Sequence, residues 1–156
     1  MRACVSALLL AALGAGLSSC SNSSAQSPPP ESIFVVLNQG VSTPQAASAK
    51  KQTKVLTSQA DYAAELANYT SDPAATVDFT QGKVLLVDMG FRRTGGYDIG
   101  VNSVDVGADF VVANIVLTQP GPTCEVIAVI TSPYQFDFIP SLKEVLVSES
   151  LTTHVC

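Results

Sequence analysis

Tryptophan is absent from this chain of 156 residues, and aromatic residues make up only 6% of it. A core must therefore be built from Val, Ile, Leu and Ala, and Val-rich runs favour strands over helices. Cations are scarce too. Eight Lys and Arg stand against thirteen Asp and Glu, a net charge of −5, or −6 once Arg2 leaves with a processed N-terminus. Such a balance repels nucleic acid and anionic lipid alike. The basic residues form no long run: Lys50, Lys51 and Lys54 lie near one strand, Arg92 and Arg93 in one turn. Histidine occurs once, as His154, with no G-x-S-x-G nucleophile motif to serve. No Gly-rich phosphate loop precedes a helix, because Thr94-Gly95-Gly96 leads into a strand, and no EF-hand pattern occurs. Asp88, Asp98, Asp105, Asp109 and Asp137 are scattered and expected on solvated strand faces. A small hydrolase would need two of them to converge in space. These absences predict a protein that is not an enzyme and needs neither cofactor nor metal.

The N-terminus carries the first positive signal. Met1-Arg2 supplies one charge, and Ala3 to Leu17 is almost wholly apolar or small. That is the length of a signal-peptide apolar region rather than of a membrane span, which needs roughly 20 residues. It ends in Leu17-Ser18-Ser19-Cys20, which resembles the bacterial lipobox: an apolar residue and two small ones before the cysteine that is acylated. Residues 1–19 are thus predicted to be a lipoprotein signal peptide and Cys20 the lipidated N-terminus. Acyl chains contribute about 0.8 kcal/mol per buried CH₂, so several hold a soluble domain durably at a membrane. The predicted location is the bacterial cell envelope, with lipid as the sole membrane attachment. Ser21, rather than Asp, follows the cysteine and favours the outer membrane where two membranes exist.

Residues 20–31 read as a tether, since Ser, Asn, Gln and three consecutive prolines cannot bury enough surface to offset ordering entropy. Residues 32–156 then form one domain. Ser32–Asn38 has strand character, Gln39–Lys51 reads as a loop, and Thr53–Thr57 as a second strand. Ser58 is placed to cap a helix in which Tyr62, Leu66 and Tyr69 recur at i, i+4 and i+7, about three turns closing near Ser71-Asp72-Pro73. Beyond Asp78 the pattern is strands and turns: Lys83–Met89, Tyr97–Val106, Phe110–Leu117, Cys124–Thr131, Gln135–Ile139 and Lys143–Val147. Tyr97, Ile99 and Val101 alternate with Asp98, Gly100 and Asn102. The predicted class is α+β, mainly β: an antiparallel sandwich or partly closed barrel with one packed helix.

Four cysteines occur; Cys4 leaves with the signal and Cys20 takes lipid. Cys124 and Cys156 remain, and an even pair in an exported domain reads as a disulfide. Free thiols or metal ligands are the alternatives, although two Cys and His154 do not complete a four-ligand zinc site.

Three turns are more sharply specified than ordinary loops: Arg92-Arg93-Thr94-Gly95-Gly96-Tyr97, Gln119-Pro120-Gly121-Pro122-Thr123-Cys124, and Thr131-Ser132-Pro133-Tyr134. Glycines permit positive φ in the first, prolines stiffen the second, and Tyr134 is expected to be exposed on the third. Each could equally serve hairpin geometry alone. In this order, TGGY, then PGP with Cys, then TSPY before an apolar strand resembles the PrcB C-terminal-like domain family. The likeness runs from about Thr53 to Pro140 and includes KVLTSQADYAAELANY and KVLLVDMG. Members of that family are bacterial envelope proteins, often lipoproteins, and it takes its name from one that associates with a surface serine protease complex. The resemblance implies binding to an envelope protein, a protease being one candidate, and regulation or stabilisation of it. The candidate contact residues are Arg92, Arg93, Thr94, Gly95, Gly96, Tyr97, Pro120, Gly121, Pro122, Pro133 and Tyr134. A looser likeness is to chagasin-type protease inhibitors, which use a TTGY-like turn. Here Arg92-Arg93 replaces the Asn-Pro before that turn and no RPW-like loop follows, which argues against direct inhibition. A purely structural scaffold binding through a strand edge is the other alternative.

Overall fold

The computed structural model describes residues 33–42 and 50–156. The predicted signal peptide, Cys20 and tether lie outside them, as does most of the loop expected after the first strand. The elements are β1 (Val35–Ser42), β2 (Gln52–Leu56), α1 (Gln59–Leu66), β3 (Lys83–Asp88), β4 (Asp98–Val106), β5 (Phe110–Pro120), β6 (Ser132–Ile139) and β7 (Glu144–His154). One sheet runs β1-β6-β3-β2 and the other β4-β5-β7, and they do not close into a barrel.

The apolar run of β3 explains the layering. Val84, Leu85, Leu86 and Val87 are all buried, so both faces of this strand are covered. On one face Val84 and Leu86 join Leu56 and Phe136 beneath Tyr62 and Leu66 of α1. On the other, Leu85 and Val87 meet Ile99 and Val101 of β4 and Val111, Ala113, Ile115 and Leu117 of β5. The scarce aromatics are concentrated on the helix side. Tyr69 lies 4.8 Å from Tyr134 and 5.5 Å from Phe136, centroid to centroid, and Tyr62 lies 5.7 Å from Phe136. Such tilted pairs contribute about 0.5–1.5 kcal/mol each beyond their buried area.

Ser58 caps α1 as predicted, its hydroxyl accepting from the Asp61 amide. The helix is shorter than its periodicity predicts. It ends at Leu66, and Tyr69 reaches the core from a following turn whose amide bonds to the Leu66 carbonyl at 2.8 Å. β4 alternates as predicted up to Val101. A bulge between Val101 and Ser103 then resets the phase, so that Val104 is buried in place of Ser103.

Four differences from the sequence reading change the picture of the loops. β1 continues through Gln39 to Ser42, residues expected in a loop. Thr131–Tyr134 is no turn: Ser132, Pro133 and Tyr134 open β6 between β1 and β3 and are buried. Tyr134 is only 5% exposed and donates from its hydroxyl to Asn38 Oδ1, so the expected surface tyrosine is a core residue. Cys124–Ile130 forms no strand. Both neighbours of β5 and of β6 are already occupied, which leaves this β-prone stretch crossing between the sheets without a ladder. Finally, β7 runs to His154 and pairs with β5 in parallel, from Phe110↔Glu144 to Pro120↔His154, within a mainly antiparallel molecule.

Candidate partner-binding surface

The connection from β3 to β4 begins at a fixed point. Asp88 is wholly buried and accepts four hydrogen bonds: from Tyr69 Oη at 2.9 Å, Gln52 Nε2 at 3.2 Å, Ser132 Oγ at 3.0 Å and the Gly90 amide at 2.8 Å. A carboxylate held by so many donors ties the end of β3 to β2, β6 and the turn after α1. Burial, and then the charge of Asp88, push the Tyr69 hydroxyl well above its ordinary value, so it stays protonated as a donor.

From that point the backbone runs to the TGGY turn, which rests against the segment after the Pro-Gly-Pro turn. Arg92 and Thr131 exchange backbone hydrogen bonds at 2.8 and 2.9 Å, Thr131 Oγ1 donates to the Thr94 carbonyl at 2.9 Å, and the Gly95 amide donates to the Ile127 carbonyl at 3.0 Å. Glycine is required here for space and conformation. A Cβ on Gly95 would stand 2.9 Å from Ile127 Cγ1, and Gly96 has φ +84° with Pro120 close by. The Pro-Gly-Pro turn is tied in its own way: the Gly121 amide donates to the His154 carbonyl at 2.9 Å, and Cys124 is bonded to Cys156, their Cα atoms 5.1 Å apart. The disulfide read from the cysteine count is therefore present.

Two of the three turns thus converge at one end of the sandwich, with residues 125–131 between them. The third does not join them, since Pro133 and Tyr134 are enclosed in β6. Of the predicted contact residues there, Arg93, Gly96 and Pro122 are exposed, Arg92, Thr94, Tyr97, Pro120 and Gly121 are half-buried, and Gly95 is buried. The Arg92 guanidinium stands 5.7 Å from the Tyr97 ring centroid. Tyr97 itself packs on the inter-sheet core, as a strand-opening aromatic commonly does.

Two features of this end escape sequence reading. Read as a strand, Cys124–Thr131 should hide alternate side chains, yet Ile127, Val129 and Ile130 are 67%, 54% and 52% exposed. Arg92 and Tyr97 of the TGGY turn also border an open groove of about 560 Å³, whose lining includes Met89, Leu117 and Leu151. An ion pair between Lys51 and Glu149 borders it. Residues 51, 89 and 149–151 are far apart in the sequence, and no local pattern marks them as neighbours. The one available signal was a hydrophobic run that begins at a disulfide cysteine directly after a Pro-Gly-Pro turn.

The scattered aspartates do not come together. Asp137 pairs in register with Leu85, so it faces the inter-sheet core, whereas Asp88, three residues along β3, faces the helix side. Asp98, Asp105 and Asp109 are exposed. Asp88 and Asp137 correct the expectation of solvated carboxylates, because both are fully enclosed. Among the described residues no group of three His, Cys, Asp or Glu is placed to hold a metal ion.

No curated protein and no solved structure matches the sequence. A family model does match, over just over a third of the chain, from the start of β3 into β6, and so covers the TGGY turn, the Pro-Gly-Pro turn and the apolar segment that follows it. Residues 83–136 match the PrcB C-terminal family, the one that the order of these turns resembles.

Proposed function

We propose that this protein is a binding module of the bacterial envelope, anchored by acyl chains on Cys20, that docks on another envelope protein through the open end of its sandwich. A protease is the first candidate partner, as the family resemblance implies, and the role is to regulate, stabilise or localise that partner. The observation that carries this reading is the exposed apolar segment Val126–Ile130, held against the TGGY and Pro-Gly-Pro turns by backbone hydrogen bonds and a disulfide. Contiguous apolar surface on a rigid support marks interaction sites, because leaving it in water is costly. The two turns give the segment a fixed shape, which lowers the ordering cost of association.

A scaffold that binds through a strand edge is favoured by one observation. β1 lies at a sheet edge, carries no charged residue, and exposes Val35, Val36 and Val41. Chemical crosslinking of native membranes followed by mass spectrometry separates the two. The double variant Ile127→Asp/Ile130→Asp should lower the yield of the crosslinked partner by at least about tenfold, with the fold retained. Val41→Lys should leave that yield unchanged. The reverse pattern would transfer the contact to the β1 edge and remove the proposal for the loops.

A further inference from the structure

Resting on that docking surface, we propose a specific occupant for the groove: an extended segment of the partner protein in which an Asp or Glu side chain sits beside an apolar one. The carboxylate pairs with Arg92, and the apolar group lies over Met89, Leu117 and Leu151.

The charge distribution points to this chemistry. Lys51 is paired with Glu149 and Lys54 with Glu65, while the ammonium groups of Lys83 and Lys143 donate to the carbonyls of Lys143 and Gly107. Neither Arg92 nor Arg93 has a carboxylate partner among the described residues. Arg92 spends one donor on the carbonyl of Phe91 and lies over the ring of Tyr97, which leaves most of its planar fork available. Arg93 next to it is exposed. The groove lining holds Lys51 and Arg92 against Glu149 and so carries a net positive charge, in a protein whose overall charge is −5. A guanidinium with free parallel donors binds a carboxylate in two-pronged fashion, and the apolar floor next to it calls for an apolar neighbour.

The shape points to an extended segment. Ser150 and Leu151 line the groove from β7, whose far side is a sheet edge. Such an edge offers main-chain donors and acceptors to an incoming strand. The volume, about 560 Å³, accommodates two side chains and the backbone between them.

The test places a photo-crosslinking amino acid at Leu151 in the full-length lipoprotein in its native membranes, with captured peptides identified by mass spectrometry. The expected product is a partner segment with Asp or Glu within about three residues of the crosslinked apolar position. Arg92→Gln and Arg92→Glu should lower its yield by at least about tenfold, and Arg92→Lys, which keeps the charge but loses the fork, should lower it less. An unchanged melting curve for each variant confirms that only the contact is altered. If Arg92→Gln leaves the yield intact while Ile127→Asp/Ile130→Asp abolishes it, the carboxylate proposal is wrong and the docking surface stands. Capture of nothing, by well-folded protein, removes both. Capture confined to the carboxyl-terminal ends of other proteins, to lipid, or to segments without a carboxylate also overturns the proposal.

Discussion

Asp88 and Asp137 are both inaccessible to water, yet Asp88 accepts from four donors and Asp137 from one, Gln135 Nε2 at 2.7 Å. The second oxygen of Asp137 has no hydrogen-bond partner. Burial therefore raises the Asp137 carboxyl to about 7, against an ordinary value of 3.8. A raised acid favours the fold when protonated. The contribution of Asp137 to stability is thus greatest below about pH 3.8, is lost as pH rises towards 7, and changes no further above it. Asp137→Asn keeps the shape without the charge. Urea unfolding between pH 4 and 8 should show a flatter profile for this variant than for the parent. It should also show a gain at pH 8 that is on the order of a few kcal/mol. A gain independent of pH would contradict this account. None of this was legible in the sequence, where Asp137 looked like any strand-face carboxylate. Its environment is set by β4 and β5, which come from another part of the sequence.

At the scale of elements, local signals worked where local forces decide. The Ser58 cap, the buried β3 run and the alternation at the start of β4 could all be read directly, because a cap or a pleat involves residues a few positions apart. Ser58→Ala removes the acceptor for the Asp61 amide and should cost about 1 kcal/mol, measured as a lowered urea midpoint at unchanged slope. Failures occurred where two elements compete for one neighbour. Cys124–Ile130 has the composition of a strand, but the two strands it connects, β5 and β6, already have both neighbours. Ser132-Pro133-Tyr134 has the composition of a turn, yet it lies in β6, with Tyr134 packed against Tyr69 and Phe136. Pro133 gives the ladder no amide donor, but its carbonyl accepts from the Met89 amide at 2.9 Å.

Across the whole molecule, the disulfide links the last residue to the centre of the candidate surface. It closes a separation of 32 residues, for which loop-closure entropy gives about 3–4 kcal/mol of stabilisation. Replacing both cysteines, Cys124→Ala and Cys156→Ala, should lower stability by about that amount in urea unfolding. Hydrogen exchange should accelerate first at Gly121, whose amide bonds to the His154 carbonyl. Stability unchanged by the double replacement would show that the bridge closes no ordering gap. The sequence alone determined the mainly β class and the positions of two of the three turns, and it pointed to the pair Cys124 and Cys156 without excluding free thiols, because composition, count and short-range spacing carry that information. Only the tertiary structure decided that Tyr134 is core, that residues 124–130 are surface, and that Lys51, Arg92 and Leu151 border one groove. Those outcomes depend on which strands occupy which edges, and contacts between positions far apart in the sequence leave no periodic trace in it.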